Sequence, residues 1–268
     1  FQDAFALDER RGIAAIADGV SSSLFSAPWA KILTLAVVDC PPDIHNADSL
    51  FPWIEQQRSK WSEQVDTENL AWHQKAKMQQ GAQSTLMWVQ ISPPDERDRQ
   101  CPDLPRLQCF AIGDCCLLHA RGSQMLRAFP IEQSAAFEDN PEVLTSIANK
   151  QDQALPFHTL QDYCEAGDLL ILCTDAIGAW AIKALEDGAT LLWRDFWEMT
   201  QDEWSEYIGR LREEGRMRYD DATMVILRIA ESNTDFSAKG AQLVEDARRA
   251  IDDVAGTISG LFGGRKHR

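Results

Sequence analysis

Short apolar segments at the start of the chain predict two strands joined by a polar turn. Ala4–Leu7 and Gly12–Ala17 are the apolar segments, and the polar run Asp8–Gly12 has the composition of a turn. Folding the chain about this turn brings Asp3 across from Asp18, although the two lie 15 residues apart in the sequence. Carboxylates repel each other at such a distance, and a bound divalent cation is the commonest reason for the pairing.

Two later apolar segments also have carboxylates at their ends. Residues 168–175 form a continuous apolar run that ends in Asp175, whereas residues 220–229 begin with Asp220 and then become apolar. If the two segments are antiparallel strands, Asp175 and Asp220 share one edge of a sheet. Aspartate is also a common turn residue beside strands. For any one of these positions, this explanation is about as good as metal binding, but it explains the whole set poorly. The predicted carboxylate cluster consists of Asp3, Asp18, Asp175 and Asp220.

The remaining pattern predicts antiparallel strands mixed with helices. Apolar positions predict further strands at Gln83–Ile91, Leu107–Ile112, Cys115–Ala120, Met125–Phe129 and Ala222–Ile229. Helices are predicted at Phe25–Asp39, Leu50–Gln80 (as one helix or two), Ile177–Gly188 and Leu191–Gly215. Residues 137–158 have no regular pattern and indicate a surface excursion. Short loops between successive strands favour antiparallel pairing, and Trp53, Trp61 and Trp72 are expected in the core.

A C-terminal tail, residues 231–268, is predicted to lie outside the main domain of residues 1–230. Apolar residues recur at three- and four-residue steps over 236–262, which is typical of one face of a helix, and the chain ends in basic residues. Packing of this helix on the domain's own surface is the favoured interpretation. Docking to a partner, or a weak membrane-surface contact through the basic end, are the alternatives.

Composition narrows the class of protein. Of the 268 residues 44% are hydrophobic, which is enough for a sizeable core, and the net charge of −16 argues against nucleic-acid binding. No apolar run approaches the roughly 18 residues of a transmembrane helix. The seven scattered cysteines indicate buried, reduced thiols of an intracellular protein, so a cytoplasmic location is expected. Phe1 is not methionine and adjoins a strand, so we expect further residues upstream.

Six short motifs in sequence order resemble those of one family of metal-dependent enzymes. The motifs are Gln2-Asp3-Ala4-Phe5, Ala17-Asp18-Gly19, Gly81-Ala82-Gln83-Ser84-Thr85-Leu86, Ile112-Gly113-Asp114, Gly167-Asp168 with Thr174-Asp175, and Asp220-Asp221-Ala222-Thr223. In this order they resemble the PP2C (PPM) serine/threonine protein phosphatases, in the compact bacterial form. The resemblance extends over roughly Phe1–Ile229. It implies an α+β fold, a four-layer αββα sandwich of two antiparallel sheets flanked by helices.

The resemblance also implies a role for each acid. Asp18 occupies the position of the metal-bridging carboxylate, with the Gly19 carbonyl as a further ligand. Asp3, Asp175 and Asp220 occupy the remaining acidic positions of the two-metal site, and Asp114 that of a third, weaker metal. The ions implied are Mn²⁺ or Mg²⁺, which prefer oxygen ligands.

The activity implied is hydrolysis of phosphoserine and phosphothreonine in proteins by a water that two metal ions activate. The implied partner is a phosphoprotein, among the targets of a cognate serine/threonine kinase. A non-catalytic, metal-binding sensor or scaffold on the same fold is one alternative, and a phosphatase of a small phosphorylated metabolite is another.

Several positions depart from the family pattern. The family's phosphate-binding arginine lies upstream of Gln2-Asp3, before the first residue here. Val20 replaces a histidine that protonates the leaving group in many members, so a metal-bound water is expected to donate that proton. Ser21 and Ser22 replace two glycines, and Ala176 replaces the glycine after Asp175. Every predicted metal carboxylate is nevertheless retained, so an active enzyme is expected.

Overall fold

A computed structural model describes residues 1–43, 47–66, 70, 72–137, 141–148 and 155–230. The predicted tail helix over 236–262 lies outside the described residues. Within them, Phe1–Ile229 forms one compact unit. None of the helices in the described ranges is long and apolar enough to cross a lipid bilayer.

Eleven strands form three antiparallel sheets in the described residues. The strands are β1 (Ala4–Asp8), β2 (Ile13–Ala17), β3 (Gln83–Ser84), β4 (Leu86–Ser92), β5 (Arg106–Ile112), β6 (Cys116–Arg121), β7 (Gln124–Phe129), β8 (Leu144–Thr145), β9 (His158–Tyr163), β10 (Leu169–Cys173) and β11 (Met224–Arg228). The first sheet has the order β1-β2-β4-β5-β9 and the second sheet β11-β10-β6-β7, while β3 and β8 form a two-stranded sheet.

In the part of the chain that the structure describes, six α-helices and one 3₁₀ turn accompany these strands. The helices are α1 (Ser26–Asp39), α2 (Ala47–Gln64), α3 (Trp72–Met78), α4 (Asp175–Glu186), α5 (Trp193–Glu198) and α6 (Gln201–Glu213), and the 3₁₀ turn is Ser134–Ala136. The predicted helix over Leu191–Gly215 is in fact two helices. Thr200 separates them because its side chain caps α6 in a reciprocal arrangement with Glu203.

The strands divide their side chains between three apolar clusters because successive residues of a strand point to opposite faces. In β2, Ile13, Ala15 and Ala17 pack against α1 and α2. Ala14 and Ile16 join Leu170 and Leu172 of β10 between the two sheets. The other face of β10 packs against α4 and α6. Central strands such as β10 are therefore buried on both faces, which explains their continuous apolar sequence.

Most of the cysteines and tryptophans are buried in these apolar clusters, but there are exceptions. Cys115 lies between the sheets and Cys116 in the cluster under α4. All seven cysteines are free thiols, but Cys40 is exposed, contrary to the expectation that they are buried. Trp53 and Trp61 are buried as predicted, whereas Trp72 is 83% exposed, so its expected place in the core is wrong.

The strand β9 was not expected. Its side chains are mostly polar and none is buried, since it forms the edge of the first sheet and, within the described residues, pairs with β5 on one side. No apolar alternation marks such a strand in the sequence. The segment predicted to be irregular, residues 137–158, also contains β8, which pairs with β3.

Candidate metal centre

The hairpin of β1 and β2 brings Asp3 and Asp18 together. The strands pair in a register that sets Ala4 opposite Ala17, so the next residues outward are Asp3 and Asp18. Asp3 is 8% exposed, and Asp18 is partly buried. Both carboxylates therefore lie at the open end of the hairpin, as the sequence predicted.

The ends of β10 and β11 supply a second pair of acids. These strands pair with Cys173 opposite Met224, and beyond that pair Thr174 donates its N–H to the Thr223 carbonyl at 3.1 Å. Asp175 follows directly and is buried, whereas Asp220 is exposed in the segment before β11. The sequence predicted Asp175 at a strand end, but it is the first residue of α4. Its carboxylate thus lies at a helix N-terminus, where negative charge is favoured.

Hydrogen bonds join these two groups of acids across the sheets. The Thr174 hydroxyl donates to Asp3 Oδ2 at 3.1 Å. The Gln2 N–H donates to Asp221 Oδ2 at 2.5 Å. The carboxyl-terminal end of β10 and the start of β1 are therefore held together, and Asp3, Asp18, Asp175 and Asp220 belong to one edge of the fold.

Asp114 reaches the same edge through a tight turn between β5 and β6. Gly113 has φ +88°, a conformation that favours glycine. A Cβ atom on Gly113 would lie 2.6 Å from Thr85 Cγ2 and 2.7 Å from the Glu142 carbonyl oxygen. Asp114 itself is 4% exposed. The Gly113-Asp114 motif therefore has a steric reason, since only glycine fits this turn.

The backbone of Asp18 and Gly19 is fixed by the junction between β3 and β4. The Thr85 N–H donates to the Asp18 carbonyl at 2.9 Å, and the Asp18 N–H donates to the Thr85 hydroxyl at 3.0 Å. The Ser84 hydroxyl donates to the same Asp18 carbonyl at 2.8 Å. A Cβ atom on Gly19 would lie 2.8 Å from the Gln2 carbonyl oxygen, so the close approach of the chain requires glycine.

Burial and mutual repulsion raise the pKa values of these acids. Burial, with the nearby carboxylates of Asp3 and Asp175, raises the pKa of Asp18 to about 9. Burial likewise raises the pKa of Asp3 to about 6 and that of Asp114 to about 7, with neighbouring carboxylates adding to each shift. The pKa of Asp175 is also raised, mainly by burial, although Arg218 opposes the shift.

The oxygens of this cluster fit a hard cation. Within the described residues, Asp3 Oδ1 and Asp175 Oδ1 are buried and have no hydrogen-bond partner. A buried carboxylate oxygen without a donor is costly, and a metal ion is one way to satisfy it. The acids of this cluster offer oxygen ligands, which is the donor type of Mg²⁺ and Mn²⁺.

Sequence reasoning missed three contributors to the site. Arg218 forms an ion pair and a hydrogen bond with Asp175 Oδ2. Asp221 binds the Gln2 N–H and contributes to the raised pKa of Asp3, after burial. Thr85 holds the Asp18 backbone. Asp221 and Thr85 lie within quoted motifs but had no assigned role, whereas nothing in the sequence around Arg218 signals its contact with Asp175.

A second group of potential ligands, far along β10 from Asp175, has a structural role. His119, Cys164 and Asp168 are buried close together. The Asp168 oxygens are occupied, since Arg121 donates to both at 2.6 and 3.0 Å and His119 lies 2.8 Å away. Burial opposes ionisation of Asp168, but these hydrogen bonds outweigh it and lower its pKa. Asp168 therefore anchors the start of β10 as a paired carboxylate.

The chain belongs to the protein phosphatase 2C family, whose sequence model matches residues 1–217. The structure is similar to that of a bacterial serine phosphatase, with a TM-score of 0.52 and 12% identity over 87% of this chain and 93% of that one. It is also similar to the Mycobacterium tuberculosis serine/threonine phosphatase PstP/Ppp, with a TM-score of 0.50 and 16% identity over 86% of this chain and 92% of that one. The comparison with curated proteins gives no match.

These findings confirm the resemblance stated from the motifs. They also confirm the α+β class with antiparallel sheets. At such identities the solved structures support the fold alone, and the metal-binding roles of individual residues stay predictions.

Proposed function

We propose that this chain is a metal-dependent phosphatase that hydrolyses phosphoserine and phosphothreonine in proteins. Family membership supports phosphatase activity and dependence on a divalent metal. The observation that carries the proposal is the convergence of carboxylates from separate chain segments. Three of them, Asp3, Asp114 and Asp175, are buried, and two of their oxygens lack hydrogen-bond donors within the described residues. Its substrates would be phosphoproteins that a serine/threonine kinase has modified.

In this proposal each acid has the role that the family resemblance implies. Asp18 would hold the cations, Mn²⁺ or Mg²⁺, together with the Gly19 carbonyl. Asp3, Asp175 and Asp220 complete the two-metal site, and Asp114 serves a third, weaker ion. When bound, the cations activate a water and neutralise phosphoryl charge. The chain itself holds the carboxylates in place through Thr85, Ser84 and Thr174.

Val20 affects the departure of the leaving group. Its side chain has no proton to donate, and its backbone is held by a hydrogen bond from its N–H to the Gln83 carbonyl at 2.9 Å. A serine alkoxide is a poor leaving group that needs a proton, whereas nitrophenolate leaves without one. We therefore expect p-nitrophenyl phosphate to be hydrolysed more readily, relative to phosphoserine peptides, than by members of the family that have a histidine at this position.

The primary test is hydrolysis of p-nitrophenyl phosphate and of phosphopeptides by the purified chain. We expect turnover with Mn²⁺ or Mg²⁺, and its loss when EDTA is added. Asp18→Ala should remove it, because the proposed bridging carboxylate is lost. The matched control is Asp103→Ala, since Asp103 is an exposed acid in the loop at the opposite ends of β4 and β5. Full activity in Asp18→Ala would contradict the assignment.

A non-catalytic metal-binding sensor or scaffold is the second candidate. The substitutions that favour it are Val20, Ser21, Ser22 and Ala176. Calorimetry separates the candidates, because a scaffold would bind Mn²⁺ yet turn over no substrate. A phosphorylated metabolite in the same assay, compared with phosphopeptides, tests the third possibility of a small-molecule phosphatase.

A further inference from the structure

Arg218 is a cation at the rim of the acid cluster. It lies between α6 and β11, two residues before Asp220, and its guanidinium pairs with Asp175 Oδ2. Its side chain is 36% exposed, whereas that of Asp175 is 11% exposed. The guanidinium therefore extends from the buried carboxylate towards solvent, where an incoming substrate would approach.

Asp175 uses its two oxygens differently. Oδ2 accepts the hydrogen bond from Arg218, while Oδ1 is buried and has no hydrogen-bond partner among the described residues. A cation at Oδ1 and the guanidinium at Oδ2 can thus be held by the same carboxylate. Metal binding at this acid does not require Arg218 to leave.

Other basic groups near this edge are engaged in different contacts. Arg216 pairs with Glu214 at 3.1 Å. Arg212 donates to the Asp220 carbonyl and lies over the Tyr219 ring. Lys77 Nζ lies 3.3 Å from the Ser22 carbonyl. Among the side-chain ion pairs seen in the described residues, that of Arg218 is the one made with an acid of the cluster.

We propose that Arg218 binds a non-bridging oxygen of the phosphoryl group, next to the metal ions, and so holds the substrate for hydrolysis. This inference rests on the proposed phosphatase function. An arginine has five N–H donors in a planar fork, so the donor given to Asp175 leaves others for a phosphoryl oxygen. A cationic donor suits a phosphoryl oxygen, because hydrogen bonds between Arg and phosphate are charge-assisted and stronger than neutral ones. The family's phosphate-binding arginine lies upstream of Gln2-Asp3, so Arg218 is a different residue.

The test is binding of inorganic phosphate to the Mg²⁺-loaded protein, measured by calorimetry. Arg218→Met keeps most of the side-chain volume and removes the guanidinium, so we expect the dissociation constant of phosphate to rise about tenfold or more. Arg218→Lys should recover part of the loss, because a lysine keeps the charge without the fork. Arg216→Met is the matched control and should bind phosphate as the unchanged protein does. Mg²⁺ titrations of all variants should give affinities within about threefold of each other.

Added guanidinium ion distinguishes phosphate binding by Arg218 from a purely structural role, because it can replace the lost donor but cannot repair a changed structure. We expect it to restore phosphate binding to Arg218→Ala and to have no such effect on Arg216→Ala. The inference is overturned if Arg218→Met binds phosphate as tightly as the unchanged protein, if the loss follows a loss of Mg²⁺ affinity, or if the unchanged protein binds no phosphate.

The outcomes for the two proposals can be distinguished. Hydrolysis of phosphopeptides that is independent of Arg218 would leave the proposed function intact and reject this inference. Phosphate binding that depends on Arg218, in a protein without turnover, would reject the proposed function and support this inference. The chain would then be a scaffold that recognises phosphorylated partners.

Discussion

At the residue scale, Gly113 determines where Asp114 lies. The residue has φ +88°, and the space where a Cβ would lie is occupied by Thr85 and by the carbonyl of Glu142. The turn therefore requires glycine for two reasons, the backbone conformation and the close packing. Asp114, the next residue, is buried beside the other acids because the chain can approach Thr85 this closely.

Gly113→Ala is expected to destabilise the fold by about 2 kcal/mol or more, since steric overlap adds to the cost of a left-handed alanine. Gly122→Ala is the matched control. Gly122 has φ +61°, but no atom lies within 4 Å of its added Cβ, so only the conformational cost of roughly 1 kcal/mol applies. Urea unfolding of both variants gives the comparison, and equal losses would show that the overlap at Gly113 is relieved without cost.

The residues of the site differ in how far the sequence could predict them. Asp3 and Asp18 follow from the two-residue period of strands and the position of one turn, so hairpin geometry was enough. Arg218 could not be predicted, because its contact with Asp175 depends on the path of the segment after α6. No periodicity or motif in the sequence describes that path.

At the scale of elements, the junction between β3 and β4 fixes the Asp18 backbone. The sequence predicted one continuous strand over Gln83–Ile91, but the strand is interrupted at Thr85. The interruption lets the Thr85 hydroxyl accept the Asp18 N–H at 3.0 Å, while the Thr85 N–H donates to the Asp18 carbonyl. The break in regular pairing is therefore what aligns a candidate metal ligand.

Thr85→Val should weaken metal binding without removing a carboxylate. Valine has nearly the same shape but cannot accept the Asp18 N–H, and this partly buried donor left without a partner costs about 1 kcal/mol of stability. Because residues that orient a ligand affect the metal it holds, we expect Mg²⁺ affinity to fall about tenfold.

Thr34→Val is the control for this variant. Thr34 is buried in α1, and its hydroxyl donates to the Ala30 carbonyl at 3.1 Å, away from the acids. Its loss should leave Mg²⁺ affinity unchanged in calorimetric titrations. Equal Mg²⁺ affinity in Thr85→Val and the unchanged protein would contradict a positioning role for Thr85.

The elements that the sequence predicted well are those with a buried face. β2 and β10 are apolar because both of their faces are covered, and α1 was placed within one residue of its observed start. β9 was missed since an exposed edge strand needs no apolar side chains. Trp72 is the opposite case. Its large apolar side chain suggested a position in the core, but Trp72 is the first residue of α3 and is exposed.

At the scale of the whole molecule, negative charge accumulates both overall and at the site. The net charge is −16, and the acids of the cluster come from segments far apart in the sequence. Folding in the absence of a cation therefore brings like charges together in a partly buried place. The pKa values of Asp3, Asp18 and Asp114 are raised as a consequence, first because burial disfavours the charged carboxylate and then because protonation relieves part of the repulsion.

The stability of the metal-free protein should consequently fall as the pH rises. Asp18 has a pKa of about 9 in the folded state, compared with its ordinary 3.8, so the folded protein keeps a proton that the unfolded chain releases. Stability falls with pH wherever the folded state binds more protons than the unfolded state, here from about pH 4 to about pH 9. Asp3 and Asp114, with pKa values of about 6 and about 7, act in the same direction over the lower part of this range.

Thermal unfolding in EDTA, followed by circular dichroism at a series of pH values, measures this effect. Asp168 does not obscure it, because its lowered pKa means that its contribution is lost only in acid, below the window from about pH 5.5 to about pH 9. We expect the melting temperature to decrease across that window, and Asp18→Asn to show a flatter decrease since it lacks the group with the highest pKa.

Added Mg²⁺ should stabilise the unchanged protein most at the alkaline end, because cations compete with protons for the same oxygens. A melting temperature that rises with pH in EDTA, or parallel curves for the two proteins, would mean that the Asp18 carboxyl is not buried beside the other carboxylates.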